Sequence, residues 1–434
     1  MHAYNLAVAE GWIERGGVRL HFIEWRPPRA SAWPPLLLLH GLSSNARIWE
    51  RVALRLPDLH LVALDQRSHG LSDRPPDGYT ETELGEDLAR LIQELGLGRP
   101  LLVGHSWGAT VALTFAAARP DLAAGLVMVD GPLGALHDRM PWEEAATRLQ
   151  PPLPHYRDLA EAVAAQRSAL GDAWGEDLLG FVRAGLVERP DGLVPTLSPS
   201  VREQVVRRLY HLRPEPLFAR VEGPLLLGLA ERPWPTAPSS FLEWRRRSAE
   251  RVEELRPDAR LRWYDSPHDI PLVRPEELAL DLERTAVAAA FWSLAREAAT
   301  LPRAERLWRR RVHTGEGGWE ARDLLAHLSS TQAALAAVVA SAGGEGRGGA
   351  VGQPFDPDRW NASQVRRRRE RTPPELMEEL RSGAVELQAA LMAAGLEART
   401  SIGPQAGRPL REALERMHAH QRAHLTELRA ALAA

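Results

Sequence analysis

The residues best suited to covalent chemistry lie in one pentapeptide, Gly104-His105-Ser106-Trp107-Gly108. A serine hydroxyl is a poor nucleophile at its own pKa. It needs a base within hydrogen-bond reach and a third group to orient that base. The setting here suits such a role. The apolar run 101–103 reads as a strand and a helical stretch covers 108–118, so Ser106 falls on a sharp strand-to-helix turn. Glycines on either side let neighbouring backbone approach where a Cβ would clash. The helix that follows aims its unpaired N–H groups at negative charge developing on a substrate. G-x-S-x-G in that context points to acyl transfer through serine.

Such a turn has to be held by a sheet, and the surrounding sequence supplies one. Residues 11–25 read as two strands around Gly16-Gly17, and the runs 36–39, 59–64, 100–103 and 125–129 are short and apolar. Between them, 82–95 and 108–118 have helical spacing. This alternation implies a mostly parallel sheet covered on both faces. Residues 133–220 break the rhythm. They are rich in Pro, Arg and Leu, with a helical stretch at 158–170, and read as a helical insert above the sheet. Strands resume at 224–229 and 260–264, and a helix starts near Pro275. No Gly or Pro follows Pro275 until 302, so this helix is expected to run on into the next domain as a rigid junction, a break near Ala290 being the alternative. Beyond about 300 there is no strand signal. Helices are expected at 319–341, 373–394 and 409–433, with a Gly-rich loop at 343–352 and a basic run at 366–369 that reads as a solvated helix face. The chain thus divides into a first domain over 1–290, with the insert at about 133–220, and an all-α domain over 291–434.

Two further motifs fall in order around the pentapeptide: His40-Gly41-Leu42 at the end of an early strand, and Asp65-Gln66-Arg67-Ser68-His69-Gly70, similar to a D-x-R-G-x-G turn. With these, the first 290 residues resemble the α/β-hydrolase family. The resemblance implies an α/β fold with an eight-stranded, mostly parallel sheet under a helical cap. It also implies that the N–H groups of Leu42 and Trp107 hold the oxyanion, each donor being worth about 3–4 kcal/mol in other systems. His40 and the 65–70 turn are expected to be structural. The family's base lies on a loop after the last strand. Here that loop is Asp265-Ser266-Pro267-His268-Asp269, followed by Arg274-Pro275-Glu276-Glu277, and His268 is the only histidine between 212 and 312. For the acid, the family often has G-x-x-D where this chain has Gly228-Leu229-Ala230-Glu231. Glu231 is the first choice, Asp130 at the end of the preceding strand is the alternative, and Asp265 stands behind them. Relatives that act as dehalogenases or epoxide hydrolases carry aspartate at the nucleophile position, so Ser106 argues against that chemistry. Esters, lactones, thioesters, activated amides and carbon–carbon bonds beside a ketone remain. The cap would choose among them, and its tryptophans and leucines suggest an apolar pocket.

The second domain has its own candidates. His420 and His424 stand four apart on an expected helix and so share a face, and His327 on another helix could complete a three-nitrogen site. His418, two residues earlier, is expected at the surface. The run Gly318-Trp319-Glu320-Ala321-Arg322-Asp323-Leu324-Leu325-Ala326-His327-Leu328 and the later H-x-x-x-H resemble the DinB-like four-helix bundle, close to the N-terminal domain of mycothiol-dependent maleylpyruvate isomerase. That resemblance implies a zinc or nickel ion on His327, His420 and His424. A docking module whose histidines bind nothing is the alternative.

Composition narrows the remaining classes. There are no cysteines, which excludes disulfides, thiolate metal sites and cysteine nucleophiles. The net charge of −3 gives no reason to expect nucleic acid or an anionic membrane as partner. The start of the chain lacks the pattern of a secretory signal, and a cytoplasmic location is expected. No cofactor is expected for the first domain, and a small molecule is the expected substrate. Two functions are carried forward: a serine hydrolase in the first domain, and a metal- and thiol-dependent isomerase or transferase in the second. A non-enzymatic sensor or scaffold ranks below both.

Overall fold

Four leucines in a row, Leu36–Leu39, form strand β3 with every side chain fully buried. Leu61–Leu64 (β4), Leu101–His105 (β5) and Gly125–Val129 (β6) are buried in the same way. Strands apolar at consecutive positions have both faces covered, as in a parallel sheet flanked by helices. These are the centre of an eight-stranded sheet, ordered β1-β2-β4-β3-β5-β6-β9-β10, in a computed structural model of the chain that describes residues 6–232, 238–312, 318–342, 356–400 and 407–433. β1 (Ala7–Arg15) and β2 (Val18–Arg26) form a hairpin. Its two-residue turn, Gly16-Gly17, has positive φ at both positions, the geometry that favours glycine. β2 is antiparallel to β4, and all later pairings, out to β9 (Leu225–Ala230) and β10 (Arg260–Tyr264), are parallel.

The chain separates into two compact units, Met1–Glu283 and Arg284–Ala434. In the first, α1 (Glu81–Glu94) starts at a capping box between Thr80 and Glu83. α2 (Trp107–Ala118) follows β5 directly and is buried on nearly every side, which explains its uniformly apolar sequence. Between β6 and β9 lies the cap. It contains α3 (Leu159–Leu170) and α4 (Pro199–His211), but it is not wholly helical as expected. β7 (Leu186–Arg189) and β8 (Gly192–Pro195) make a small antiparallel hairpin around Pro190-Asp191, a turn pair with a mechanism readable in the sequence. Before β10 comes α5 (Ser239–Leu255), which the sequence reading did not single out. After β10 comes α6 (Pro275–Ala299).

In the second unit, α7 (Ala321–Ala342), α8 (Pro357–Arg367), α9 (Pro373–Ala393) and α10 (Leu410–Ala433) form a helical bundle, with α7 packed along both α9 and α10. α7 is long and apolar enough to cross a membrane, yet most of it is buried inside the bundle. The Gly-rich loop 343–352 lies outside the described residues. The run 366–369 closes α8. Arg368 does not lie on a solvated face as expected: it is half-buried and forks onto Glu379 of α9 at 2.7 Å, while Arg366, Arg367 and Arg369 are exposed.

Candidate functional site

Ser106 sits where β5 ends and α2 begins, at φ 54° and ψ −118°. This conformation is costly for a residue with a Cβ, of order 1–3 kcal/mol, and persists only where the surroundings fix it. The surroundings here are backbone. The Ser106 N–H donates to Val129 O at 2.8 Å. A Cβ on Gly104 would lie 2.2 Å from Gly108 O, and one on Gly108 would lie 2.5 Å from both Leu39 O and His40 O. Only glycines on both sides allow the elbow to close this tightly. Among the described residues, four non-glycine residues have positive φ: Ser43, Ser68, Ser106 and Asp130. Ser106 and Asp130 line one cavity, and Ser43 lies in the loop that passes beside Ser106.

That cavity has a volume of about 560 Å³. Ser106, Trp107, Asp130 and His268 line its floor. Its walls are mostly apolar, among them Leu133, Leu136 and Met140 from the cap and Phe241 and Trp244 from α5. His268 comes from the loop after β10, as expected. Its Nδ1–H donates to Asp130 Oδ2 at 2.5 Å, which leaves Nε2 as the acceptor. Burial works against a charged imidazole at this position. The hydrogen bond and charge of Asp130 outweigh it, with help from Asp269, and hold the His268 pKa above its ordinary value.

The carboxylate that meets this histidine is Asp130 and not Glu231, the first choice made from sequence. Glu231 is exposed just beyond β9, and its N–H donates to Tyr264 O at 2.9 Å on β10. Asp265 is also exposed and pairs with Arg232 and Arg274. The Asp130 side chain, only 2% exposed, accepts from His268, from the Ala230 N–H at 2.8 Å and from the Arg245 guanidinium. Burial alone would raise its pKa. These donors and the neighbouring positive charges outweigh burial and hold the carboxyl below its usual range.

The expected oxyanion donors flank Ser106. The Trp107 N–H belongs to the first turn of α2, where the helix offers no acceptor. Leu42 follows Gly41, whose missing Cβ would meet the Ser106 Cβ at 2.9 Å. Two buried histidines hold this loop. His40 donates from Nδ1 to Gly41 O and accepts the Gln66 N–H at Nε2. His69 donates to Arg67 O, and its Nε2 accepts the Ser43 N–H at 3.2 Å. Burial, with the neighbouring His40, pushes the His69 pKa down to about 3, so this ring stays a neutral acceptor. The 65–70 turn is structural, since Asp65 is buried and accepts from His21 and from the N–H groups of Ala46 and Leu71.

In the bundle, His327 of α7 meets His420 and His424 of α10, with one ring nitrogen from each within 4.8 Å of the others. His327 Nε2 is 3.1 Å from His420 Nε2, and His327 Nδ1 is buried with no hydrogen-bond partner. Burial, reinforced by the other two rings, pushes His327 down to about 3, and burial lowers His420 and His424 as well. Three neutral imidazoles facing one point, two of them with a buried nitrogen that makes no hydrogen bond, fit a borderline-soft divalent ion such as zinc or nickel. His424 Nδ1 lies 3.7 Å from Glu427, beyond hydrogen-bond distance. His418 is not at the surface as expected. It is 5% exposed, and its ring meets the edge of Phe291 at 5.3 Å.

Comparison with known proteins separates the chain in the same way. Residues 34–172 match the alpha/beta hydrolase fold family, and residues 287–428 match the mycothiol maleylpyruvate isomerase N-terminal domain. The chain joins an α/β-hydrolase domain to a mycothiol maleylpyruvate isomerase N-terminal domain. Similar curated proteins include the 2-(acetamidomethylene)succinate hydrolase of Mesorhizobium japonicum, 44% identical over 98 residues, or 22% of this chain and 35% of that one. Lipase LipV of Mycobacterium tuberculosis is 36% identical over 141 residues, or 32% of this chain and 51% of that one. The chain therefore spans about a third to a half of the length of these relatives. Among solved structures, E-2-(acetamidomethylene)succinate hydrolase superposes with a TM-score of 0.53 at 25% identity, covering 64% of this chain and 99% of that one. The thioesterase domain from the curacin biosynthetic pathway superposes with a TM-score of 0.52 at 22% identity, covering 63% and 98%, and shares the fold.

Proposed function

We propose that the α/β-hydrolase domain is a serine hydrolase acting on an ester, lactone or related acyl substrate with an apolar acyl group. One observation carries this reading: Ser106, on its strained elbow, shares a cavity with a histidine whose Nδ1 is held by a buried carboxylate. His268 Nε2 takes the proton as Ser106 Oγ adds to the substrate carbonyl. The N–H groups of Leu42 and Trp107 receive the oxyanion. The tetrahedral adduct collapses, His268 returns the proton to the leaving oxygen, and an acyl-serine remains. Water, activated by the same imidazole, then releases the acid. Asp130 fixes the tautomer and stabilises the imidazolium throughout. The apolar walls favour a hydrocarbon acyl chain over a polar one. Replacing Ser106 with alanine should abolish both turnover of a small p-nitrophenyl ester and labelling by a fluorophosphonate. Turnover that survives the replacement refutes the proposal.

The histidine cluster favours a second activity, in the bundle. His327, His420 and His424 would hold a divalent ion, zinc or nickel by donor type, and such an ion would supply Lewis acidity or a seat for a thiolate. An isomerase or transferase reaction using a low-molecular-weight thiol fits that chemistry. Activity lost to a chelator, with fluorophosphonate labelling of Ser106 intact, would place it in the bundle. Metal analysis that finds no ion bound and none taken up rules it out.

A further inference from the structure

A positive charge is buried against the carboxylate that serves His268. Arg245, on α5, is only 7% exposed; its Nη2 donates to Asp130 Oδ1 and its Nη1 to Ala230 O at 3.2 Å. The Ala230 N–H donates to the same carboxylate oxygen at 2.8 Å, so guanidinium, carboxylate and the tip of β9 close a ring. Asp130 thus serves two cations: Arg245 at one oxygen and the imidazole at the other. A carboxylate already bonded to a full positive charge is a weaker partner for a second one.

We propose that Arg245 is a positioning residue that tunes the base: it fixes Asp130 against β9 and, through Asp130, limits how strongly the charged form of His268 is stabilised. The inference rests on the serine-hydrolase reading above. The other charged and titratable groups around the imidazole do not duplicate the effect. Asp269, on its own loop, acts in the opposite sense. His105, at the end of β5, donates to the His268 carbonyl at 3.0 Å, and burial together with His268 pushes its pKa down to about 4, so it is neutral. Arg148, on the cap, lines the cavity but pairs with Glu144 at 2.9 Å and is 42% exposed. Arg245 is the cation buried at the carboxylate itself. The consequence is a working range that reaches lower pH than Asp130 alone would allow, because a less stabilised imidazolium gives up its proton sooner.

The test compares full-length Arg245→Gln, Arg245→Met and Arg245→Lys with the unaltered chain. Each is assayed for pH dependence of kcat/KM on a p-nitrophenyl ester, fluorophosphonate labelling and melting temperature. Gln keeps a donor to Asp130 without the charge, Met keeps only volume, and Lys keeps the charge. Two uncharged replacements guard against one that does not fold. The acidic limb should move up by roughly one pH unit in the uncharged variants, the low end of what a single adjacent charge produces, and return towards its original position with Lys. At the original midpoint that is about a fivefold loss, approaching tenfold at lower pH and recovered at higher pH. A folded, labelled uncharged variant with an unmoved limb overturns the inference, as does an equal loss at every pH shared by Gln, Met and Lys. Turnover that persists after Ser106→Ala would instead refute the serine-hydrolase reading itself, so the two failures are distinct.

Discussion

Replacing Asp130 with asparagine separates the two carboxylates that the sequence offers as the acid. Asp130 accepts from three donors: the His268 Nδ1–H at one oxygen, and Ala230 N–H and Arg245 at the other. Asparagine has one oxygen and one NH2 group. The oxygen goes to the side where two donors converge, so the NH2 faces His268. The imidazole must then accept at Nδ1 and carry its proton on Nε2, where it can no longer take one from Ser106. The same exchange in another serine hydrolase lowers kcat by about 10⁴, which at 1.36 kcal/mol per tenfold is about 5.4 kcal/mol. Stability falls too. Losing the charge opposite a buried arginine costs about 3 kcal/mol, at the low end for a broken buried pair because the amide oxygen still accepts. Against a typical reserve of roughly 5–15 kcal/mol the fold survives, with a melting temperature several degrees lower. Glu231→Gln, at an exposed position, should leave kcat/KM within about a factor of two. The assay is p-nitrophenyl ester hydrolysis alongside thermal melting. A folded Asp130→Asn protein retaining more than about a tenth of the activity would refute the assignment; so would an equal loss in Glu231→Gln.

Other outcomes follow from the same geometry. His268 must be neutral to act as base and its pKa is held above the ordinary value, so kcat/KM should rise with pH through a limb above about 6.5; a limb at lower pH contradicts the Asp130 pairing. By linkage the same group stabilises the fold fully below the unfolded histidine pKa, a contribution lost as pH rises through the folded value, which denaturant midpoints at several pH values would report. The full chain should take up one zinc or nickel ion, and His420→Ala should lose that uptake in elemental analysis of gel-filtered protein; equal loading of both speaks against the three-histidine site. Gly108→Ala would press a Cβ against two backbone oxygens at 2.5 Å and should cost about 3 kcal/mol or more in urea unfolding. Gly85→Ala on α1 meets only Phe115 at 3.4 Å and should stabilise by up to about 1 kcal/mol; equal effects of the two glycine substitutions would remove the steric account of the elbow.

The sequence made local features legible because their causes are local. The wholly apolar strands, the Gly16-Gly17 turn and the helix after Ser106 each follow from residue types within a few positions. The cap hairpin was equally readable, since Pro190-Asp191 separates Leu186–Arg189 from Gly192–Pro195, but the helical character of its neighbours masked it. α5 carries a charged residue, Arg245, on its buried face, so its apolar stripe is interrupted where the helix meets the site. His418 looked solvent-facing because a position two residues from a ligand pair points elsewhere on the helix. In a bundle, however, elsewhere can be another packed face, and here it meets Phe291.

The acid shows where reading a chain as a line of motifs runs out. β6 and β9 are neighbours in the sheet, so a carboxylate at the end of either strand arrives near the same loop after β10. Strand order therefore leaves two solutions, and the choice falls to what the unused strand does with its backbone. At the end of β9 the Glu231 N–H continues the ladder onto Tyr264 of β10, the strand on the side away from β6, while the Ala230 N–H turns back to Asp130. β9 thus gives a donor where it might have given an acid. A carboxylate at 130 receives that donor and can also neutralise Arg245, whose position depends on α5, more than a hundred residues further along. No single stretch of sequence contains all three partners, so the acid becomes readable only once the sheet and α5 have brought them together.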